Sequence, residues 1–246
     1  MLKAILFDLD DTLLINNMAS FIPAYFELLS AAFTDRVPAE QLSLELIRGI
    51  EAMDANDGSG SSNEEAFEEV FYPALSLGRA ELQPVFERFY AEEFPKLRSI
   101  TRPMPGARRV VAQAFSGDRQ VVIATNPVFP RVAVEQRLDW AGVSVLDFVF
   151  DLVTHIENMH ATKARPAYYR EILSVLGREP HECLMVGDDW QRDMVPAAQV
   201  GIPVFWITGP EDSDSQGAGP VEDPVPEELL TGSGSLEDVL PMLPLI

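Results

Sequence analysis

Five short apolar runs, each four or five residues at most, constrain this chain more than any other feature: Ala4–Phe7, Val121–Ala124, Phe148–Leu152, Leu184–Val186 and Val204–Ile207. Amphipathic patterns lead into the second run and fill the intervals after it. Ala107–Phe115 ends at Gly117, Pro130–Ala141 at Gly142 and Pro166–Leu176 at Gly177, and another runs from about Arg192 to Gly201. Proline at a helix start and glycine just past its end is the punctuation a helix needs, because proline lacks an amide hydrogen and glycine tolerates a left-handed cap. Buried strands alternating with helices of this length predict an α/β core with a Rossmann-like parallel sheet.

The alternation breaks between about Asn16 and Met104, where the pattern is helical only. Leu42, Leu46, Ile50 and Met53 recur at helical spacing, as do Leu82, Val85, Phe86, Phe89 and Tyr90. With further helices over Met18–Phe33 and Asn63–Leu75, this is enough amphipathic surface for a four-helix bundle. The Pro103–Gly106 segment PMPG returns the chain to the core. The expected organisation is a core of residues 1–15 and 105–246 with a helical insertion over 16–104. The polar loop DANDGSGSSN (Asp54–Asn63) follows no strand and is read as a mobile linker, not a dinucleotide fingerprint. Glu211 to Glu228 is read as a surface excursion, and the final SLEDVLPML as a short helix docking on the core.

Composition narrows the partners. The chain has 246 residues with 39 acidic and 18 basic side chains, a formal charge of −21. That charge argues against nucleic acid and against an anionic membrane surface. Asp8, Glu27 and Asp151 interrupt apolar runs well before a membrane span. The N-terminus meets acidic residues too soon for a secretory signal. A lone Cys183 rules out an intrachain disulfide. A cytoplasmic location is the expectation.

Four segments carry chemistry. The first run ends in FDLDDTL, where Asp8 and Asp10, two residues apart, would point the same way, roughly 6–7 Å apart on an extended chain. Carboxylates so close either raise one pKa or attract a cation. Thr125 and Asn126 close the second run, where a hydroxyl and backbone amides can hold an anionic oxygen. Lys163, one of three lysines, precedes the helix that starts near Pro166, with Arg165 as a competitor. Asp188, Asp189 and Asp193 follow the fourth run. Oxygen-only ligands at strand ends describe a hard-cation site, with Mg²⁺ the natural occupant. Helix capping accounts for one or two of these aspartates but not three.

The ordered set, DxDxT at Asp8–Thr12, Thr125, Lys163 and GDxxxxD at Gly187–Asp193, resembles the haloacid dehalogenase superfamily of phosphohydrolases. The insertion after the first motif resembles that family's C1-type helical cap. The resemblance implies a Mg²⁺-dependent phosphatase acting on a small phosphorylated metabolite. It implies Asp8 as nucleophile and Asp10 as general acid and base. Thr125, Asn126 and Lys163 would hold the phosphoryl group. Asp8, the Asp10 carbonyl, Asp188 and an outer Asp193 would hold the metal, with Asp189 as a neighbour. Ala164 stands where the family often has proline after the lysine, and Arg192 where asparagine is common.

Alternatives on the same scaffold are dehalogenation, phosphonate cleavage and phosphomutase chemistry. Dehalogenase and phosphonatase relatives lack an aspartate two residues after the nucleophile, so Asp10 counts against both, whereas a mutase also uses the second aspartate. A non-catalytic phospho-acceptor module, which also clusters Asp, Thr and Lys, is disfavoured by the insertion and by length. His155, Glu157 and His160 are read as a solvated loop, Cys183 as a small buried apolar residue, and Trp206 as packing at the end of the fifth run. Phe86, Phe89, Tyr90 and Phe94 are read as bundle core. Substrate selection is expected near Asn16, Asn17 or the Asp54–Asn63 loop.

Overall fold

Strand β1 (Ala4–Phe7) divides its side chains by parity, as an extended chain buried on both faces must. Ile5 and Phe7 enter one apolar cluster, Ala4 and Leu6 the other. The computed structural model describes residues 2–208 and 224–243. Its main sheet contains β1, β4 (Gln120–Ile123), β5 (Leu152–Val153), β6 (Cys183–Gly187), β7 (Val204–Ile207) and β8 (Leu230–Gly234). The order is β5-β4-β1-β6-β7-β8, and every pairing is parallel. Helices α5 (Ala107–Phe115) and α6 (Arg131–Trp140) pack with the first cluster; α7 (Pro166–Leu176) and α8 (Val195–Gln199) pack with the second.

The chain leaves β1 and reaches β4 on one side, then β6 on the other. Open α/β sheets bind ligands at such a reversal, beyond the carboxyl ends of the strands. Phe7 is level with Ile123 and Val186 across the three strands, so the residues that follow each strand emerge together.

Between β1 and α5 lie α1 (Met18–Ala32), α2 (Ala39–Ala55), α3 (Asn63–Leu75) and α4 (Arg79–Arg88). Asn17 caps α1, its side chain accepting from Ser20 N, and a Ser62–Glu65 capping box opens α3. The two crossings between core and helices run side by side as an antiparallel ribbon, β2 (Leu14–Ile15) against β3 (Arg102–Pro103).

Several elements differ from the sequence reading. The run Phe148–Leu152 yields only the two-residue β5, because Phe148 and Phe150 pack on Phe115 of α5 instead of joining the ladder. The pattern near Arg192 is one π-helical turn, Trp190–Met194, before the short α8. The DANDGSGSSN loop is docked, not a mobile linker. Asn56 Nδ2 donates to Ser61 O and Asn63 Oδ1 within it, and Arg165 Nε donates to its Asp54 carbonyl at 2.7 Å. The C-terminal segment Leu236–Met242 is a 3₁₀ helix whose Leu236 and Val239 are buried. Most of the Glu211–Glu228 excursion lies outside the described residues. No helix among the described residues is long and apolar enough to cross a membrane.

Candidate active site

Three strand ends and one loop bring the candidate residues together. Asp8 N donates to Val186 O at 2.9 Å and Ala124 N to Phe7 O at 2.7 Å, which stitches the tips of β1, β4 and β6. Asp8, Asp188 and Asp193 each offer a carboxylate oxygen within 4.8 Å of the other two. Lys163, from the turn before α7, places Nζ 2.5 Å from Asp8 Oδ1 and in contact with Asp193 Oδ1. Asp8, Lys163 and Asp193 are all buried. Thr12 Oγ1 donates to Asp188 Oδ1 at 3.2 Å.

Burial and like charge act on these carboxyls together. Burial, reinforced by Asp193 and Asp10 and opposed by Lys163, pushes the Asp8 carboxyl up to about 8. Burial and then the charges of Asp8 and Asp193 raise Asp188 well above the carboxylate range. Asp193 is also raised, by burial, with Lys163 opposing. Burial works against the Lys163 charge, but Asp193 and Asp8 outweigh it and hold the ammonium well above an ordinary lysine.

Three carboxylates facing one ammonium leave a net charge of −2 in a buried pocket when all are ionised. The donors are all oxygen, which suits a hard divalent cation and not a soft metal. The residues present therefore fit such a cation, with Asp8, Asp188 and Asp193 as the groups to hold it. The glycine of the last motif has a steric reason: a Cβ on Gly187 would lie 2.2 Å from Asp193 Oδ2.

Thr125 is buried, and its carbonyl accepts from Thr154 Oγ1 at 2.7 Å and Tyr168 OH at 2.9 Å. These bonds fix the strand end from behind. Asn126 Oδ1 accepts from Lys163 N at 3.2 Å, so the two phosphate-binding candidates brace each other.

Asp10 takes a different course from the extended-chain expectation. The strand ends at Phe7, Leu13 N and Leu14 N both donate to Leu9 O, and Asp11 adopts a left-handed φ of 57°. In this tight loop the Asp10 carboxylate does not join the Asp8–Asp188–Asp193 group. Its Oδ2 meets Arg137 Nη1 at 2.5 Å and its Oδ1 accepts from Asn16 Nδ2 at 2.8 Å.

Arg137 is the residue sequence reasoning missed. It is 1% exposed, on α6 between Ala133, Val134 and Leu138, all buried. A charged side chain on the apolar stripe of a helix is the signal that was there to read. Of the two asparagines expected near substrate, Asn16 holds Asp10 and Asn17 caps α1. Arg165 turns to Asp54 O and leaves the site to Lys163. Asp189 caps the turn after β6, accepting from Gln191 N and Arg192 N. His155 pairs with Glu157 and His160 with Glu171, so the two histidines do not converge. Trp206 Nε1 donates to Asp188 O at 2.8 Å, bracing the loop after β6.

A cavity of about 580 Å³ lies between the helices and the loop after Asn126, with Tyr25, Phe67, Phe86, Tyr90, Phe129 and Glu157 among its walls. None of the site aspartates nor Lys163 lines it. The candidate residues therefore lie apart from this cavity, and Phe129, one of its walls, lies under the Arg137 guanidinium at 4.5 Å. Phe89 and Phe94 are bundle core as expected, whereas Phe86 and Tyr90 also line the cavity.

Residues 2–201 match the haloacid dehalogenase-like hydrolase family. A phosphoglycolate phosphatase of Rhodospirillum rubrum is 29% identical over 209 residues, 82% of this chain and 78% of that protein. Among solved structures, a 2-haloacid dehalogenase of Pseudomonas syringae superposes with a TM-score of 0.64 at 19% identity, covering 99% of this chain and 98% of that one. A phosphatase of the same superfamily from Thermococcus onnurineus superposes at 0.57 with 21% identity, covering 99% of both chains. The fold is thus shared by enzymes of both descriptions, and the side chains must decide the chemistry.

Proposed function

This chain belongs to the haloacid dehalogenase-like hydrolase family, and we propose that it is a phosphatase that releases phosphate from a small phosphorylated metabolite through an aspartyl-phosphate on Asp8. The observation that carries the reading is the division of labour between two carboxylates. Asp8 lies in the buried cluster beside Lys163, and Asp10 is held apart by Arg137 and Asn16. A nucleophile and a separate proton carrier are what two-step phosphoryl transfer requires. The dehalogenase alternative has no use for a second carboxylate at Asp10. The R. rubrum relative, named for a phosphatase activity, supports a phosphate ester as substrate.

In this reading an Asp8 oxygen attacks phosphorus in line, and Asp10 serves the leaving oxygen and then the hydrolytic water. Thr125, the Asn126 amide and Lys163 hold the equatorial oxygens, so that catalysis is chiefly positioning and charge compensation. A divalent cation held by Asp8, Asp188 and Asp193, with Mg²⁺ our assignment, would offset charge between the carboxylates and the phosphoryl group. Residues 16–104 act as the cap and residues 1–15 with 105–246 as the catalytic core, the β2–β3 ribbon being the seam.

The test is phosphate release from a generic aryl phosphate. Turnover that needs Mg²⁺, stops with EDTA and vanishes in Asp8→Asn is the expected result. A folded protein with no EDTA-sensitive turnover overturns the reading.

A further inference from the structure

We propose that Arg137 and Asn16 form a clamp that positions Asp10 for the water-activating half of the reaction, a role that rests on the phosphatase reading above. Both oxygens of Asp10 are gripped, each from a different part of the chain. Arg137 reaches Oδ2 from α6 of the core; Asn16 reaches Oδ1 from the end of β2, where the chain enters the helical insertion. Asn16 also donates its backbone amide to Asp11 Oδ1 at 3.0 Å, at the one left-handed residue of the loop. The carboxylate is thereby kept out of the Asp8, Asp188 and Asp193 group, where it would otherwise be drawn to the same cation.

Packing alone does not explain this arrangement. Arg137 is fully buried among apolar neighbours, lies over the Phe129 ring and has one good charge partner, Asp10. Its Nη2 and the Asn16 Oδ1 are both buried without a hydrogen-bond partner. A well-packed apolar residue would suit the α6 position better than a buried charge with an unused donor. Sites that violate packing rules in this way are commonly functional.

The clamp should matter most where a proton must move. In the first step an Asp8 oxygen bonds to phosphorus while the bond to the leaving oxygen breaks and that oxygen takes the electron pair. A nitrophenolate leaves without a proton. In the second step a water oxygen bonds to phosphorus, its proton passes to Asp10, and the Asp8 carboxylate is released.

The experiment is rapid-mixing turnover of 4-nitrophenyl phosphate with Mg²⁺ by wild type, Arg137→Gln, Arg137→Lys and Asn16→Ala. Steady-state turnover of Arg137→Gln should fall at least tenfold while a first-turnover burst of nitrophenolate persists and acid-quenched phosphoenzyme rises. Asn16→Ala should show the same split, smaller, and Arg137→Lys should restore part of the steady-state rate. If thermal scans show Arg137→Gln unfolded, Asn16→Ala carries the same comparison. Variants that lose burst and steady state in equal measure, or lose neither, overturn the clamp alone. A wild type silent on the ester overturns the phosphatase reading and the clamp together.

Discussion

The Lys163 ammonium lies 2.5 Å from Asp8 Oδ1 and also touches Asp193, bridging β1 to the turn after β6. All three side chains are buried, so neither carboxylate has solvent to replace the ammonium. Lysine gives a compact charge on a flexible stem, which one residue can place between two acids.

Replacing Lys163 with Met keeps the stem and removes the charge. Breaking one side of a buried ion pair costs about 3–5 kcal/mol, because the partner charge is left uncompensated. Turnover should fall by about 10²-fold or more, as for loss of a group that stabilises developing charge. The melting temperature in EDTA should drop, and Mg²⁺ should recover more of it than in wild type. Equal Mg²⁺-induced shifts in the two proteins would show that Lys163 does not share the carboxylates with the cation.

The pH dependence follows from the raised Asp8 carboxyl, at about 8 against an ordinary 3.8. A carboxyl raised on folding contributes stability that is complete below the unfolded value and is lost as the pH climbs through the folded one. Raised Asp188 and Asp193 act in the same sense. Metal-free protein should therefore melt at lower temperature at pH 8 than at pH 5. Mg²⁺ competes with those protons, so its stabilisation should be larger at pH 8. Asp8→Asn should shrink that difference. A Mg²⁺-induced shift in melting temperature that is the same at both pH values would contradict the cluster's role.

Much of this was legible in the sequence. Pro166 and Gly177 bracket α7, and the residues after β1, β4 and β6 were placed at one sheet edge by the alternation of strands and helices. Three features were not. The strand β8, LTGSG, carries one large apolar residue and reads as a loop; its pairing with β7 is imposed by an edge already built. The docking of the Asp54–Asn63 loop depends on Asn63 reaching carbonyls 64 and 98 residues away, a separation no local pattern encodes. The turn that sends Asp10 to Arg137 depends on one φ at Asp11.

Gly187 should tolerate no side chain. An alanine Cβ would lie 2.2 Å from Asp193 Oδ2 and 2.8 Å from its Cβ. Asp193 has no room to give, being fully buried, held by Lys163 and accepting from Asp189 N at 3.1 Å. Gly187→Ala should cost about 1–3 kcal/mol in chemical denaturation, the usual range for forced overpacking. It should also weaken Mg²⁺ binding, read by the Mg²⁺ concentration needed for half-maximal turnover. A variant with unchanged stability and unchanged Mg²⁺ demand would mean that Asp193 can move without consequence.

Asn63 should govern how firmly the helices sit on the core. Its Nδ2 donates to Ala161 O at 3.1 Å and Pro127 O at 3.4 Å, and its backbone amide donates to Met159 O at 2.8 Å. Pro127 follows Asn126, and Ala161 precedes Lys163 by two residues, so one buried amide ties the start of α3 to the loops that carry Asn126 and Lys163. Asn63→Ala removes the side-chain bonds and leaves two carbonyls short of a donor in a buried place, at about 1–3 kcal/mol. If the insertion works as a cap, the loss should fall on the closed arrangement. KM should rise by roughly fivefold or more with a smaller change in kcat, and amide exchange should quicken over residues 54–63 and 156–163 while β1, β4 and β6 stay protected. Uniformly faster exchange through the central strands would make Asn63 a general stabiliser of the fold and not a link between the helices and the site.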